Sequence, residues 1–593
     1  MKKKIYSIVA AGFLFIFAAG TGFAQEREND LKLEIDLLAN NLTPLPGVFR
    51  PSADLSGRGF HRDSVWPQSV SAPEVLAAWQ KDVGFGGFLR IQYNLWGVYQ
   101  FAKDKVVQAD HLAHYESIIK NVNDSGGTAI LDIFGTPAGF GRILDKVSMP
   151  KDLRVFKRVV KGLIRDLSCV KKYNIWYEVW SAPDIDDFFL GNAQDYFNLY
   201  RAAAEAVKEL EAEYKINIPI GGPSVSAWFR GVDDNTIATP ERGLIYGLIR
   251  FCKDYKLPLD FISWHSYTSD PQADLENTVY KKNVPTLIRD WLSYFHFDRN
   301  LPLLVDEWGF DRNDNRSAER DGSSYIAASF IPARLRYMRE SGIDGQAYFS
   351  LEDFKHNKEG VFRNTGIFTY DSERSAYKGK PKAAYNVFRM LGMLKSDFFA
   401  AGLNDDFSGV IATRSKEEIA ILIYNYVDPD IAMNYISRNI ASLGSGERSA
   451  VANFVRSHKL NKFLSGQLDI ARSGLGQRPK AILKKAKELD AQAAKLKESP
   501  RTLRIAFKNL KGDFFYQRYS MEPPCAYDCD FLAADDKVIL EAPAHEEILQ
   551  LKPYSVNLII LKAKPGEPVE KVVAVDVALE QAKQNSADAE EKR

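Results

Sequence analysis

From about residue 50 to 395 the chain alternates short runs of apolar, β-branched and aromatic residues with longer stretches whose apolar positions recur every three or four residues. The first kind fits strands buried on both faces and the second fits helices laid against them, so the alternation predicts a parallel α/β architecture. In chain order the strands fall at 59–61, 88–92, 129–133, 175–180, 219–223, 261–267, 303–308 and 345–350, with helical stretches such as 153–168 and 196–214 between them. Eight strand–helix units in roughly 340 residues predict a (β/α)8 TIM barrel with insertions. A doubly wound open sheet is the alternative, but no Gly-rich phosphate loop follows the first strand.

Beyond the helix-like stretch 382–394 the period changes to two. The runs 409–413 and 419–424 read as a hairpin around Ser415-Lys416, and 502–507, 514–519 and 556–562 as further strands. These predict a C-terminal β-sandwich over 396–564, interrupted at about 430–500 by a helical insertion. The Lys- and Ala-rich part of that insertion, 479–498, reads as a solvated helix. Residues 25–49 are left as an N-terminal segment, and the charged tail 565–593 is expected to be disordered.

Lys2, Lys3 and Lys4, an apolar run from Ile5 to Ala19 and the small-residue stretch before Gln25 predict a secretory signal peptide over 1–24, and hence a periplasmic or extracellular location. The run is short of the ~20 residues that span a bilayer, and no later segment offers a span. With 78 basic against 77 acidic side chains the net charge of +1 gives no electrostatic reason to expect nucleic acid as a partner, whereas 12% aromatic content suits a neutral or mildly charged carbohydrate. Four cysteines in an exported chain permit disulfides without requiring them: Cys525 and Cys529 are spaced for a local bridge, while Cys169 and Cys252 read as buried thiols. No metal and no cofactor is expected.

A TIM barrel carries its site at the carboxyl ends of the strands, so strand-terminal polar residues are the first candidates. Glu307 ends strand seven, His265 and Tyr267 end strand six, Arg90 lies on strand two, and Glu352 and Asp353 follow strand eight. Trp66, Trp96, Trp180, Trp264 and Trp308 lie at or near strand ends, where an indole either stacks on a sugar ring or fills the barrel top.

Together with Gly221-Gly222-Pro223 and Leu551-Lys552-Pro553-Tyr554-Ser555-Val556, these residues resemble family 39 of the glycoside hydrolases, the group containing β-xylosidases and α-L-iduronidases. The resemblance implies that Glu307 is the nucleophile, that His265 and Tyr267 orient it and touch the sugar, and that Arg90, Trp180, Ser181, Trp308 and Glu352 belong to the substrate site. Asp306 stands where Thr or a similar residue is common. Tyr177-Glu178-Val179-Trp180-Ser181-Ala182-Pro183 resembles a strand that in such enzymes ends Trp-Asn-Glu-Pro, so Ala182 occupies the acid/base position and Ser181 that of the Asn that contacts the substrate 2-hydroxyl.

A retaining glycosidase needs two carboxyl groups about 5 to 5.5 Å apart, one to attack and one to exchange a proton. Glu178 shares a strand face with Ala182 but lies about 13 Å deeper at roughly 3.3 Å per residue, which makes it an interior hydrogen-bonding group. Three explanations remain. A loop carboxylate, with Asp184, Asp186, Asp187, Glu352 and Asp353 nearest, replaces the acid; the substrate carries its own acid or a good leaving group; or the chain binds carbohydrate or serves polysaccharide assembly without cutting it. The resemblance favours an exported glycoside hydrolase acting on a polysaccharide or oligosaccharide.

Overall fold

The computed structural model describes residues 30–55, 71–102, 105–108, 112–229, 240–275, 282–311, 325–356, 361–363, 365–369, 379–403, 405–523 and 533–564. The expected signal peptide, the strand at 59–61, Trp66, the Cys525/Cys529 pair and the 565–593 tail lie outside the described residues. Eight parallel strands close into a barrel in the order Ala53–Asp54, Phe88–Asn94, Thr128–Phe134, Ile175–Val179, Ile220–Val225, Phe261–Thr268, Leu303–Phe310 and Gly345–Tyr348. They are called strands one to eight below.

Closure depends on the shortest strand. Ala53 pairs with Leu89 on one side and Tyr348 on the other, so strand one is the two-residue Ala53–Asp54 and not the expected 59–61. A strand this short has no alternation or apolar run of its own, and its neighbours alone give it an extended form. Elsewhere the periodicity carries through. Every residue of Leu303–Phe310 is buried, as expected where helices cover one face and barrel packing the other. The helix Ala193–Tyr214 opens on a capping box between Asn192 and Asp195 and buries Tyr196, Leu199, Tyr200, Ala203, Val207 and Leu210 along one stripe. Gly221 is required by close approach, because Phe261 O lies 2.4 Å from where its Cβ would sit.

The second lobe is a sandwich built from both ends of the chain. A seven-stranded sheet runs Leu42–Pro44, Asp397–Phe399, Ser408–Arg414, Glu418–Asn425, Val556–Ala563, Phe514–Met521, Ala533–Ile539. It is faced by three strands, Asp30–Asp36, Arg501–Leu510 and Ala542–Leu551. Asp30–Asp36 pairs in parallel with Arg501–Leu510, and residues 42–44 with 397–399, so the N-terminal segment belongs to this lobe. Its pattern of alternating buried and exposed residues is that of a strand with one wet face. In Glu418–Asn425 both faces are covered: Ile419, Ile421 and Ile423 join the core between the sheets, whereas Ala420, Leu422 and Tyr424 join the core shared with the barrel.

The insertion folds as four α-helices, Ile431–Asn439, Ser445–Arg456, Lys459–Leu464 and Gln477–Leu496. The last is not the solvated helix its charge suggests. It buries Leu483, Ala486, Leu489, Ala493 and Leu496, the first two in a small core of their own and the others against Ile431, Val427 and Tyr554. Lys484, Lys485 and Lys495 are exposed on the remaining faces, so a lysine-rich sequence conceals an apolar stripe.

Candidate active site

Strand two carries Arg90 into the centre of the barrel, where its side chain is fully buried. Nη1 donates to Asp54 Oδ2 at 2.6 Å and to Glu307 Oε1 at 2.7 Å, and Nε donates to Glu178 Oε2 at 2.7 Å. Nη2 donates to Asp132 Oδ2 at 3.2 Å and Ser224 Oγ at 3.1 Å, and Asp306 Oδ2 lies 3.5 Å from Nε. One guanidinium thus faces five carboxyl groups from strands one, three, four and seven. Strands five and six add hydroxyls: Ser224 Oγ donates to Asp306 Oδ2 at 2.5 Å, and Ser263 Oγ to Glu178 Oε1 at 2.6 Å.

Full ionisation would leave four uncompensated negative charges in a dry interior, so protons must remain on some of the acids. Burial is the largest cause of the shift in Asp132 and Asp306, both held well above the ordinary carboxylate range; in each, nearby Glu178 adds to the effect and Arg90 opposes it. Glu307 is pushed up to about 8, chiefly by burial, with Asp54 and Glu178 reinforcing the shift and Arg90 and Tyr267 opposing it.

Glu307 lies at the upper edge of this cluster. Its Oε1 is held by Arg90 and its Oε2 accepts from Tyr267 Oη at 2.9 Å. Tyr267 is 37% exposed and carries aromatic surface from the carboxylate toward solvent. His265 pairs directly with Glu307 in the strand register. Its Nε2 lies 2.9 Å from Ser224 Oγ and its Nδ1 3.4 Å from Glu307 Oε2; burial first, and Arg90 second, hold the imidazole neutral.

The end of strand four is different in character. Trp180 and Ala182 have φ of 70° and 44°, left-handed values that fold the chain back on itself around Ser181. Ala182 N donates to Ser224 O at 2.8 Å, and its methyl group presents no titratable atom. Ser181 Oγ is buried and has no hydrogen-bond partner among the described residues. The loop carboxylates are largely committed elsewhere. Asp184 accepts from the backbone N of Ser226 at 2.9 Å and from its hydroxyl. Glu352 is buried and accepts from Ala72 N at 2.9 Å, so it braces the loop before the first helix. Asp353 accepts from Gly366 N at 2.8 Å and Lys382 Nζ at 2.6 Å. Asp186 and Asp187 are exposed.

The tryptophans divide by burial. Trp180, Trp264 and Trp308 are fully buried and offer no open face; Trp180 Nε1 donates to Phe188 O, and Trp308 Nε1 to Gln346 Oε1. For Trp180 and Trp308 this replaces the expected sugar contact with packing, on Phe134 and Phe189 and on Phe330 and Tyr348 respectively: the left-handed φ of Trp180 and the register shift between Val305 and Trp308 interrupt the inward–outward alternation there. Trp96 is half-buried. Arg90 likewise touches carboxylates and Ser224, with no surface left for a ligand. Sequence reasoning missed Asp54, Asp132, Ser224 and Ser263 as members of the cluster. The signal available was a polar residue flanked by apolar ones, at Asp132, Ser224 and Ser263; the two-residue Ala53–Asp54 offered none. Among the described residues no group of His, Cys, Asp and Glu is arranged to hold a metal ion, and Cys169 and Cys252 are free and buried.

The model of the family described as glycosyl hydrolases family 39 matches residues 133–436. A β-xylosidase from Caldicellulosiruptor saccharolyticus is 24% identical over 301 residues, which are 48% of this chain and 55% of that protein. A β-xylosidase from Geobacillus stearothermophilus is 29% identical over 300 residues, 47% of this chain and 53% of its own. The chain thus spans about half the length of the curated relatives it matches. Among solved structures, a monomeric β-xylosidase from Caulobacter crescentus CB15 superposes with a TM-score of 0.59 at 16% identity, covering 90% of this chain and 99% of that one. The family 39 enzyme from Xanthomonas axonopodis pv. citri gives 0.58 at 16% identity, covering 90% and 97%. At that identity the likeness establishes the shared fold.

Proposed function

Because this chain belongs to glycosyl hydrolases family 39, we propose that it is an exported glycosidase acting on xylosides or short oligosaccharides, with Glu307 as the nucleophile of a retaining mechanism. The observation that carries the reading is the fixing of both Glu307 oxygens, one by Arg90 at 2.7 Å and the other by Tyr267 at 2.9 Å, in the carboxyl-terminal half of a barrel strand. A carboxylate so oriented is ready to attack an anomeric carbon, with water later releasing the sugar from the covalent intermediate. The two relatives named β-xylosidase support xylosides as the substrate class. The Lys2 to Ala24 pattern supports export.

Departure of the leaving group is the weak step. Ala182 supplies no proton, and general acid catalysis is worth about 10² to 10⁴ in rate. Glycosides whose leaving group departs unprotonated are therefore the favoured substrates. Hydrolysis of dinitrophenyl pentosides, hexosides and uronides of both anomers by the wild type and Glu307→Ala, with and without azide, tests this. Turnover that requires Glu307 and yields glycosyl azide supports the reading. No Glu307-dependent turnover on any sugar sinks it and favours the second reading, a glycan-binding protein on the same scaffold, for which the methyl group of Ala182 is the specific support.

A further inference from the structure

The Ser224 hydroxyl has one proton and two lone pairs, and every one of them is committed. The proton goes to Asp306 Oδ2 at 2.5 Å, the Asp306 carboxyl, its pKa raised, directing its own acid proton to Glu178, and one lone pair of Ser224 accepts from Arg90 Nη2 at 3.1 Å. What remains for His265 Nε2, 2.9 Å away, is the second lone pair, so Nε2 must carry the hydrogen. With the ring neutral, Nδ1 then has a bare lone pair, 3.4 Å from Glu307 Oε2. We propose that the Asp306–Ser224 pair is a tautomer lock: it holds neutral His265 in the Nε2–H form and keeps the Nδ1 lone pair, a hydrogen-bond acceptor, aimed at Glu307.

The backbone supports the same device. Ser224 has φ of 53°, a left-handed conformation that a serine adopts only under tertiary constraint, and its N–H is held by Ser263 Oγ at 3.2 Å. Among the described residues, the polar and charged groups near the imidazole are Tyr267 on its own strand, Ser224 on strand five, Asp306 and Glu307 on strand seven, and Arg90 on strand two. Glu307 Oε2 lies 3.4 Å from Nδ1. A carboxylate facing a lone pair is repelled, whereas a carboxylic acid donates to it, which agrees with the raised pKa of Glu307. In the catalytic setting, which rests on Glu307 being the nucleophile, the bare Nδ1 accepts a hydrogen bond from the protonated Oε2 and orients the carboxyl group; the proton itself leaves to solvent as Glu307 ionises, because the imidazole is held neutral. Asp306 and Ser224 are positioning residues in this account.

The test reads the imidazole nitrogens directly, by long-range ¹H–¹⁵N correlation of histidine-labelled full-length protein at pH 7 and pH 9, with the His265 signal assigned from its loss in His265→Gln. Wild type is expected to show a single Nε2–H tautomer at both values. At pH 9, where Glu307 is ionised and would attract a hydrogen to Nδ1, Ser224→Ala and Asp306→Ala are each expected to gain an Nδ1–H population, while Tyr267→Phe keeps the wild-type pattern. An Nδ1–H form in the wild type at pH 7, or an unchanged single Nε2–H form in both lock variants at pH 9, overturns the proposal. Should either variant not fold, the wild-type spectra alone still decide. No turnover is measured, so the outcome stands apart from the glycosidase reading.

Discussion

Arg90 Nη1 bridges Asp54 at 2.6 Å and Glu307 at 2.7 Å, so the carboxyl group at the barrel mouth is tied through one nitrogen to the two-residue strand that closes the barrel. The same guanidinium also holds Glu178 and Asp132. The element that positions the candidate nucleophile is therefore also the charge that keeps five buried acids together.

This double role makes Arg90→Met a stability variant before it is a kinetic one. Removing one member of a buried charge network leaves the others uncompensated, at a cost of about 3 to 5 kcal/mol. A urea unfolding midpoint within error of the wild type would contradict the central place given to Arg90.

The rate should follow the ionisation of Glu307. Its pKa of about 8 means that the carboxylate fraction, and with it kcat/KM on a dinitrophenyl glycoside, rises as pH increases from 6 to 9. With no acid at position 182 to lose its proton, the alkaline limb of the usual bell should be missing. A pH profile with a maximum below 7 would refute this.

Tyr267→Phe removes the hydrogen bond that favours the ionised form of Glu307, so the ascending limb should move to higher pH. A hydrogen bond to a charged group is worth about 1.5 to 3 kcal/mol, which corresponds to a loss of roughly 10- to 100-fold in kcat/KM at pH 7. The limb and the rate should shift together in the same titration.

Leaving-group dependence reports on Ala182. Across aryl glycosides from dinitrophenyl to unsubstituted phenyl, the rate should fall by more than about 10²-fold, the contribution a general acid normally makes. A flat dependence would reveal a proton donor in place of the missing Glu.

A separate pH effect is expected where the insertion meets the barrel. Asp428 is buried and pushed up to about 7, first by burial and then by Asp270, while Asn434 Nδ2 and Asp430 N donate to it. Because its folded pKa is raised, the stability it contributes is complete below about 4 and is lost as pH rises through about 7. Thermal unfolding of wild type and Asp428→Asn from pH 5 to 8 should show the difference moving in favour of the variant with rising pH.

The sequence by itself determined the barrel, seven of whose strands follow apolar runs long enough to read, and the two-residue alternation of the sandwich. These are local signals, set by which side chains must leave water. It also marked Glu307, His265 and Tyr267 as polar residues near strand ends, although their expected roles came from the family resemblance and not from the pattern. It did not reveal strand one, since Ala53–Asp54 has no pattern of its own, nor the pairing of Asp30–Asp36 with Arg501–Leu510 across the whole chain. The apolar stripe of Gln477–Leu496 was hidden behind its lysines. Only the tertiary structure decided the site's electrostatics. Asp54, Arg90, Asp132, Glu178, Ser224 and Asp306 are far apart in sequence and meet because barrel closure aims one side chain from each strand at a common axis. Their protonation depends on that shared, water-free volume, a property no single segment of the chain possesses.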